Sequence, residues 1–343
     1  MLAAVASTSC RRREPPCSGR RHGIAVEGAW ASPVPRSKIA QAPPPPDTRR
    51  VPIAEPRDTT SWSRVSWQAL AQRADQVIER CGRLGVRVHR SSRFTEYCRT
   101  LGAIAARHPR VPSARDLSLC HQAVCEVGDL TAILDSVERT HEPGPWLRKL
   151  AIAVNGPPLV EDERASVARD IQFELMIASL AEAGGLDVHL AEPDLVIEQG
   201  GQRIGIAAKR ITSEAQVSKR LREATKQITR SGESGLISLD LSLLAHPREG
   251  FLLTEAPADA IGKMTGVADR LCVESIQAVL ESDQKVARGV LAIVVHVACI
   301  YRTADSTTLG VARRWSIGDM PSRDPRSGAL TAIYRALQAA VVR

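Results

Sequence analysis

Beyond Pro158 the apolar positions switch between a helical period of about 3.6 and a strand period of two, and the switching predicts a sheet with helices on its faces. A helix is expected over 161–183, closed by Gly184-Gly185. Strands are expected at 187–190, 194–198 and 203–211, the last two joined by the hairpin-type sequence Gln199-Gly200-Gly201-Gln202. Ser213 and Gln216 have the spacing of a capping box, which predicts a helix from Ser213 to Ser231-Gly232. Further expectations are a strand over 236–241, a helix over 257–282, a strand over 310–317 and a closing helix over 326–342. Residues 290–300 are almost wholly apolar, as in a central strand buried on both faces. The predicted class is α/β: a mixed central sheet flanked by helices, with the order α-β-β-β-α-β at its centre.

A different pattern precedes it. Over 60–150 the apolar residues keep helical spacing, beginning with Trp67, Leu70, Ala71, Ala74, Val77, Ile78 and Cys81. Second and third helices are expected over 92–108 and 113–138, until Glu142-Pro143-Gly144-Pro145 breaks the run. Residues 1–57 lack periodicity and carry Arg11-Arg12-Arg13 and four successive prolines, so they read as a disordered tail. A solvated tail, a stretch preceding the true start, and a basic arm on nucleic acid all remain open there. The expected organisation is thus a tail over 1–57, a helical domain over 60–150 and an α/β domain over 158–343.

Charge alters this picture little. The chain has a formal net charge of +8, but residues 1–57 hold ten Arg/Lys against four Asp/Glu, which leaves the rest near neutral. A basic composition is therefore no argument for a nucleic-acid face, and aromatics at 3% argue against a base-stacking surface. The Ala/Arg-rich vocabulary is that of a GC-rich, bacterial type of coding sequence. Eight cysteines show no zinc or disulfide spacing: Cys120 and Cys125 have no matching second pair, and Cys272 and Cys299 sit in apolar patterns. His89, His108, His121 and His141 lie too far apart for metal-ligand spacing. With no run of eighteen apolar residues and no signal-peptide core, a cytoplasmic chain without a membrane span is expected. Phosphate-loop, dinucleotide and serine-hydrolase motifs are lacking. Oligomeric state is not readable.

Three charged positions sit where burial would be costly without a partner. Glu174 shares a helix face with Val167, Ile171 and Ala178. Asp194 follows Pro193 at the start of a strand, and Lys209 ends the next one on the same face as Ala207. On the following helix Gln216, Arg220, Glu223 and Gln227 flank the apolar stripe Val217, Leu221, Ala224 and Ile228. Asp240 is expected to be structural and His296 a hydrogen-bonded core histidine.

Glu174, Pro193-Asp194 and Lys209, in that order on those elements, resemble the PD-(D/E)XK nuclease superfamily over about residues 160–242. The resemblance implies that Glu174 and Asp194 hold Mg²⁺ or Mn²⁺ and that Lys209 acts on water and phosphate. It implies a helical Gln at Gln227 and, with Arg220 and Arg210 as phosphate contacts, a nucleic-acid substrate, DNA before RNA. One position departs: the motif's second acid should stand two residues before Lys209, and Ala207 is there. Glu223 is then the candidate relocated metal ligand. The alternatives are a degenerate nuclease fold that binds nucleic acid or a protein without cutting, a solvated flank with Arg220 paired to Glu223, and a purely structural Glu174–Lys209 ion pair.

Overall fold

The computed structural model describes residues 59–106, 114–157, 167–245, 252–254, 262, 266, 289–303, 309–317 and 325–341. The tail over 1–57 lies outside these residues, as does nearly all of the helix expected over 257–282. Strand β1 (Thr59–Val65) comes first, followed by helices α1 (Trp67–Arg83), α2 (Arg93–Ala106), α3 (Ala114–Arg139), α4 (Pro143–Ala153) and α5 (Val167–Ala183). Then come β2 (Asp187–His189), β3 (Leu195–Gln199), β4 (Gln202–Arg210), α6 (Val217–Ser231) and β5 (Ser234–Asp240). A single helical turn α7 (Ser242–Ala245), β6 (Leu252–Thr254), β7 (Val290–Thr303), β8 (Leu309–Ile317) and α8 (Ser327–Val341) complete the chain.

Among the described residues, eight strands make one mixed sheet in the order β1-β8-β7-β5-β4-β3-β2, with β6 alongside β7. Strands β4, β5 and β7 run parallel, and β2–β3, β3–β4, β7–β8 and β1–β8 are antiparallel pairs. The expected α/β class holds. The hairpin between β3 and β4 turns at Gly200 and Gly201, whose φ values of 59° and 74° are both positive, as a two-residue turn of matching twist requires.

Alternation along the parallel strands divides the core in two. Ile204, Ile206 and Ala208 of β4, with Leu236 of β5 and Val294 of β7, face the α5 side. Ala207, Ile237, Leu239, Ile293 and Val295 face the other side, under the Val217, Leu221, Ala224 and Ile228 stripe of α6. Burying each Leu or Ile of that stripe stabilises by about 1.5–3 kcal/mol. The α6 cap differs from expectation. Ser213 makes no side-chain cap bond; a 3₁₀ turn over Glu214–Gln216 leads into α6, and Thr212 Oγ1 donates to Gln216 Oε1 at 2.8 Å.

Helix α5 is the hub. From Ala168 to Ala181 all but two of its residues are buried, because it lies between β4 and the helices α3, α4 and α8. Its polar residues Arg169, Gln172 and Glu174 therefore all need partners. Close approach of α8 needs Gly184 just past the end of α5: a Cβ there would stand 2.4 Å from the Ala336 Cβ. The described residues fall in one compact unit, and the larger of its two buried clusters runs from α1 through α5 into the sheet. The segments expected as a helical domain and an α/β domain thus share an interior. The helical stretch also opens with a strand, β1, paired along β8 from Thr59↔Trp315 to Val65↔Leu309.

Candidate functional site

Three residues singled out from the sequence, Asp194, Lys209 and Gln227, meet at the start of β3. Asp194, directly before β3, is a three-fold acceptor. Its Oδ2 receives the Ala208 main-chain N–H at 2.8 Å and Lys209 Nζ at 2.9 Å, and its Oδ1 receives Gln227 Nε2 at 3.1 Å. The same Gln227 nitrogen donates to Pro193 O at 3.2 Å, while Gln227 Oε1 is buried without a hydrogen-bond partner among the described residues. Lys209 Nζ also donates to Ala208 O at 3.0 Å. These side chains come from two strand ends and one helix. Because β3 and β4 are paired in register, with Leu195 opposite Ile206, the start of β3 lies beside the end of β4.

Glu174 joins from α5, through a residue the sequence reading did not select. Lys149 of α4 forms an ion pair with Glu174 and donates to the main-chain oxygen of Asp194 at 3.4 Å. Burial pulls the Lys149 ammonium below its usual pKa, and Lys209 adds to this, against Asp194 and Glu192. The Glu174–Lys209 ion pair considered from sequence does not form: Glu174 meets Lys149 and Lys209 meets Asp194. Helix α4 was hidden by Pro143-Gly144-Pro145, which opens it with proline in the first turn rather than ending a pattern. The usable signal was Trp146, Leu150 and Ala153 at helical spacing after it.

Two expected residues are held by other partners. Glu223 pairs with Arg220 at 3.3 Å and Lys219 at 3.9 Å, with its side chain 40% exposed. Arg220 ties α6 to α5 through Asp170 at 3.2 Å, at the border of the cluster. Arg210 is corrected outright. Adjacent strand residues point to opposite faces, so Arg210 turns away from Lys209 into the α5-side core rather than toward the Asp194 cluster.

There Arg210 belongs to a buried ionic network. Arg210, Asp240, His296 and Trp315 are register partners across four strands. Asp240 accepts from Arg210 Nε at 2.6 Å and from the Ser242 amide at 3.0 Å, and pairs with His296 Nδ1 at 3.2 Å. From above, Glu126 of α3 receives Arg93 Nε at 2.5 Å, Arg169 Nε at 2.8 Å and Tyr97 Oη at 3.1 Å. Asp129, one turn on, receives Arg313 at 2.6 Å. Burial alone would raise both carboxyl pKa values, but the arginines outweigh it. Glu126 is held down at about 2, and Asp240 well below the usual carboxylate range. Asp240 is buried, and His296, 2% exposed, is the hydrogen-bonded core histidine expected. A void of about 20 Å³ between α3 and these strand ends has room for a water molecule.

The donor chemistry of the first cluster suits a hard divalent cation: Glu174 and Asp194 offer carboxylate oxygens, and Mg²⁺ commonly takes one or two carboxylates and keeps its waters. Ala207 is fully buried under α6 and adds no donor. Among the described residues one group of three ligands lies close together, Asp187, His189 and Glu198 on the β2–β3 edge, and there Glu198 is already paired to Arg203. Cys81, Cys98, Cys120 and Cys125 form no disulfide, and burial pushes the Cys81 thiol up to about 11 and Cys98 and Cys120 up to about 12, so these three are poor nucleophiles at neutral pH. No described helix is long and apolar enough to cross a membrane. The chain matches no family model, no curated protein and no solved structure.

Proposed function

We propose that the chain is a metal-dependent nuclease of the PD-(D/E)XK type, hydrolysing phosphodiester bonds in nucleic acid, DNA in preference to RNA. The observation that carries this reading is the convergence of Asp194, Lys209 and Gln227 on hydrogen bonds of 2.9 and 3.1 Å, with Glu174 brought in by Lys149. The order α5-β2-β3-β4-α6-β5 is also the α-β-β-β-α-β order that the resemblance implies.

Hydrolysis adds a water oxygen to phosphorus, breaks one P–O ester bond and returns a proton to the leaving oxygen. Glu174 and Asp194 are the residues to hold Mg²⁺ or Mn²⁺, which when bound neutralises phosphate charge and acidifies water. Lys209 presents an ammonium at Nζ to the phosphate oxygen and the water. Gln227, its nitrogen committed to Asp194 and Pro193, keeps Oε1 as an acceptor to orient that water. Arg220 at the border remains a candidate phosphate contact.

A second reading, a nuclease-like fold that binds without cutting, is favoured by one observation: Ala207 stands where the third carboxylate would be and adds no donor. Rates and affinities separate the two. The Lys209→Met variant is expected to lose at least ~100-fold in cleavage of duplex DNA with Mn²⁺, while DNA affinity changes by only a few-fold. Equal cleavage by Lys209→Met would remove Lys209 from the mechanism, and DNA binding without cleavage by the wild type would establish the second reading.

A further inference from the structure

The carboxylates proposed to hold a metal are already held, by the protein's own ammoniums. Lys209 takes Oδ2 of Asp194 at 2.9 Å, and Lys149 takes Glu174 and the main-chain oxygen of Asp194. The two acids and two lysines sum to zero charge. A third acid would leave the group one charge negative, but the position is Ala207. A divalent ion entering this neutral quartet meets two like charges at close range, in a site where the side chains of Glu174, Asp194 and Lys209 are 8%, 14% and 11% exposed and screening by water is weak.

The two lysines differ in their freedom to leave. Lys209 is pinned on a strand with its nitrogen bonded to Asp194 and Ala208. Lys149 reaches in from α4, outside the α-β-β-β-α-β segment, and its side chain is 30% exposed. Its four-carbon stem can turn the ammonium outward into water at small cost. We infer that Lys149 is a built-in competitor for the divalent cation: it holds the Glu174 carboxylate and the main-chain oxygen of Asp194 and must swing out when the ion binds. This rests on the metal-binding reading above, and it adds that metal affinity is set by a residue of the helical layer.

The test is a calorimetric Mn²⁺ titration, at fixed ionic strength, of the full chain as wild type, Lys149→Met, Lys149→Arg and Asp194→Ala. Lys149→Met is expected to bind Mn²⁺ roughly tenfold or more tightly than wild type, because one repelling charge is gone. Lys149→Arg, which keeps the charge, is expected to stay near wild type, and Asp194→Ala to lose binding. Should Lys149→Met fail to fold, Lys149→Gln keeps a donor for Glu174 without the charge and carries the same expectation. Binding by Lys149→Met no tighter than wild type, with Asp194→Ala still deficient, overturns the role of Lys149 and leaves the metal site standing. Absence of Mn²⁺ binding in every variant overturns both.

Discussion

At the scale of residues, the chain buries charge in two places separated by the thickness of one strand, and β4 supplies both. Lys209 faces the Asp194 cluster and Arg210 the Glu126–Asp240 network. The sequence exposes such residues because charge on an apolar pattern is costly. Glu174, Asp194 and Lys209 are legible for that reason, and Gln227 from its place beside the apolar stripe of α6. Their partner is less so: Lys149 stands on a helix that its own prolines disguise. The Glu126 network gives a prediction of its own. Its folded pKa of about 2 lies below the ordinary 4.5, so its ionic contribution is fully present above about pH 5 and is lost as pH falls toward 2. That contribution is on the order of 3 kcal/mol. In urea melts between pH 7 and 3, wild type should lose stability progressively, and Glu126→Gln should be less stable by about 3–5 kcal/mol at pH 7 with a flatter acid limb. Equal slopes for the two proteins would show that Glu126 is not held ionised by Arg93 and Arg169.

At the scale of elements, most of the α/β order was readable because period-two and period-3.6 patterns alternate cleanly after residue 166. Strand β7 and the Gly200-Gly201 hairpin are the clearest cases. What pattern does not carry is tertiary closeness. Gly184 reads as a helix stop, yet its lack of a side chain also lets α8 cross α5. Gly184→Ala places a methyl 2.4 Å from the Ala336 Cβ and is expected to cost about 1–3 kcal/mol. Ala336→Gly in the same chain should recover much of that loss, and a double-mutant cycle from denaturant midpoints measures the coupling. Additive effects would place the cost in the backbone instead. Strand β1 was missed for a related reason: its pairing partner β8 is some 250 residues away by number and no local rhythm announces it.

At the scale of the whole molecule, the helical layer and the sheet share one buried cluster. α5 is buried by α3 and α4 on one side and β4 on the other, and this brings Lys149 of the helical layer to Glu174 and Asp194. The site is thus assembled from α4, α5, the β3–β4 hairpin and α6 together. Cleavage of duplex DNA in Mg²⁺ or Mn²⁺ tests the proposed hydrolysis, wild type beside Asp194→Ala, with circular dichroism to show that both are folded. Wild type is expected to cleave only with metal, and Asp194→Ala to lose at least ~100-fold. Wild type that leaves DNA and RNA intact with either metal, or a variant that cuts as fast, would overturn the proposal.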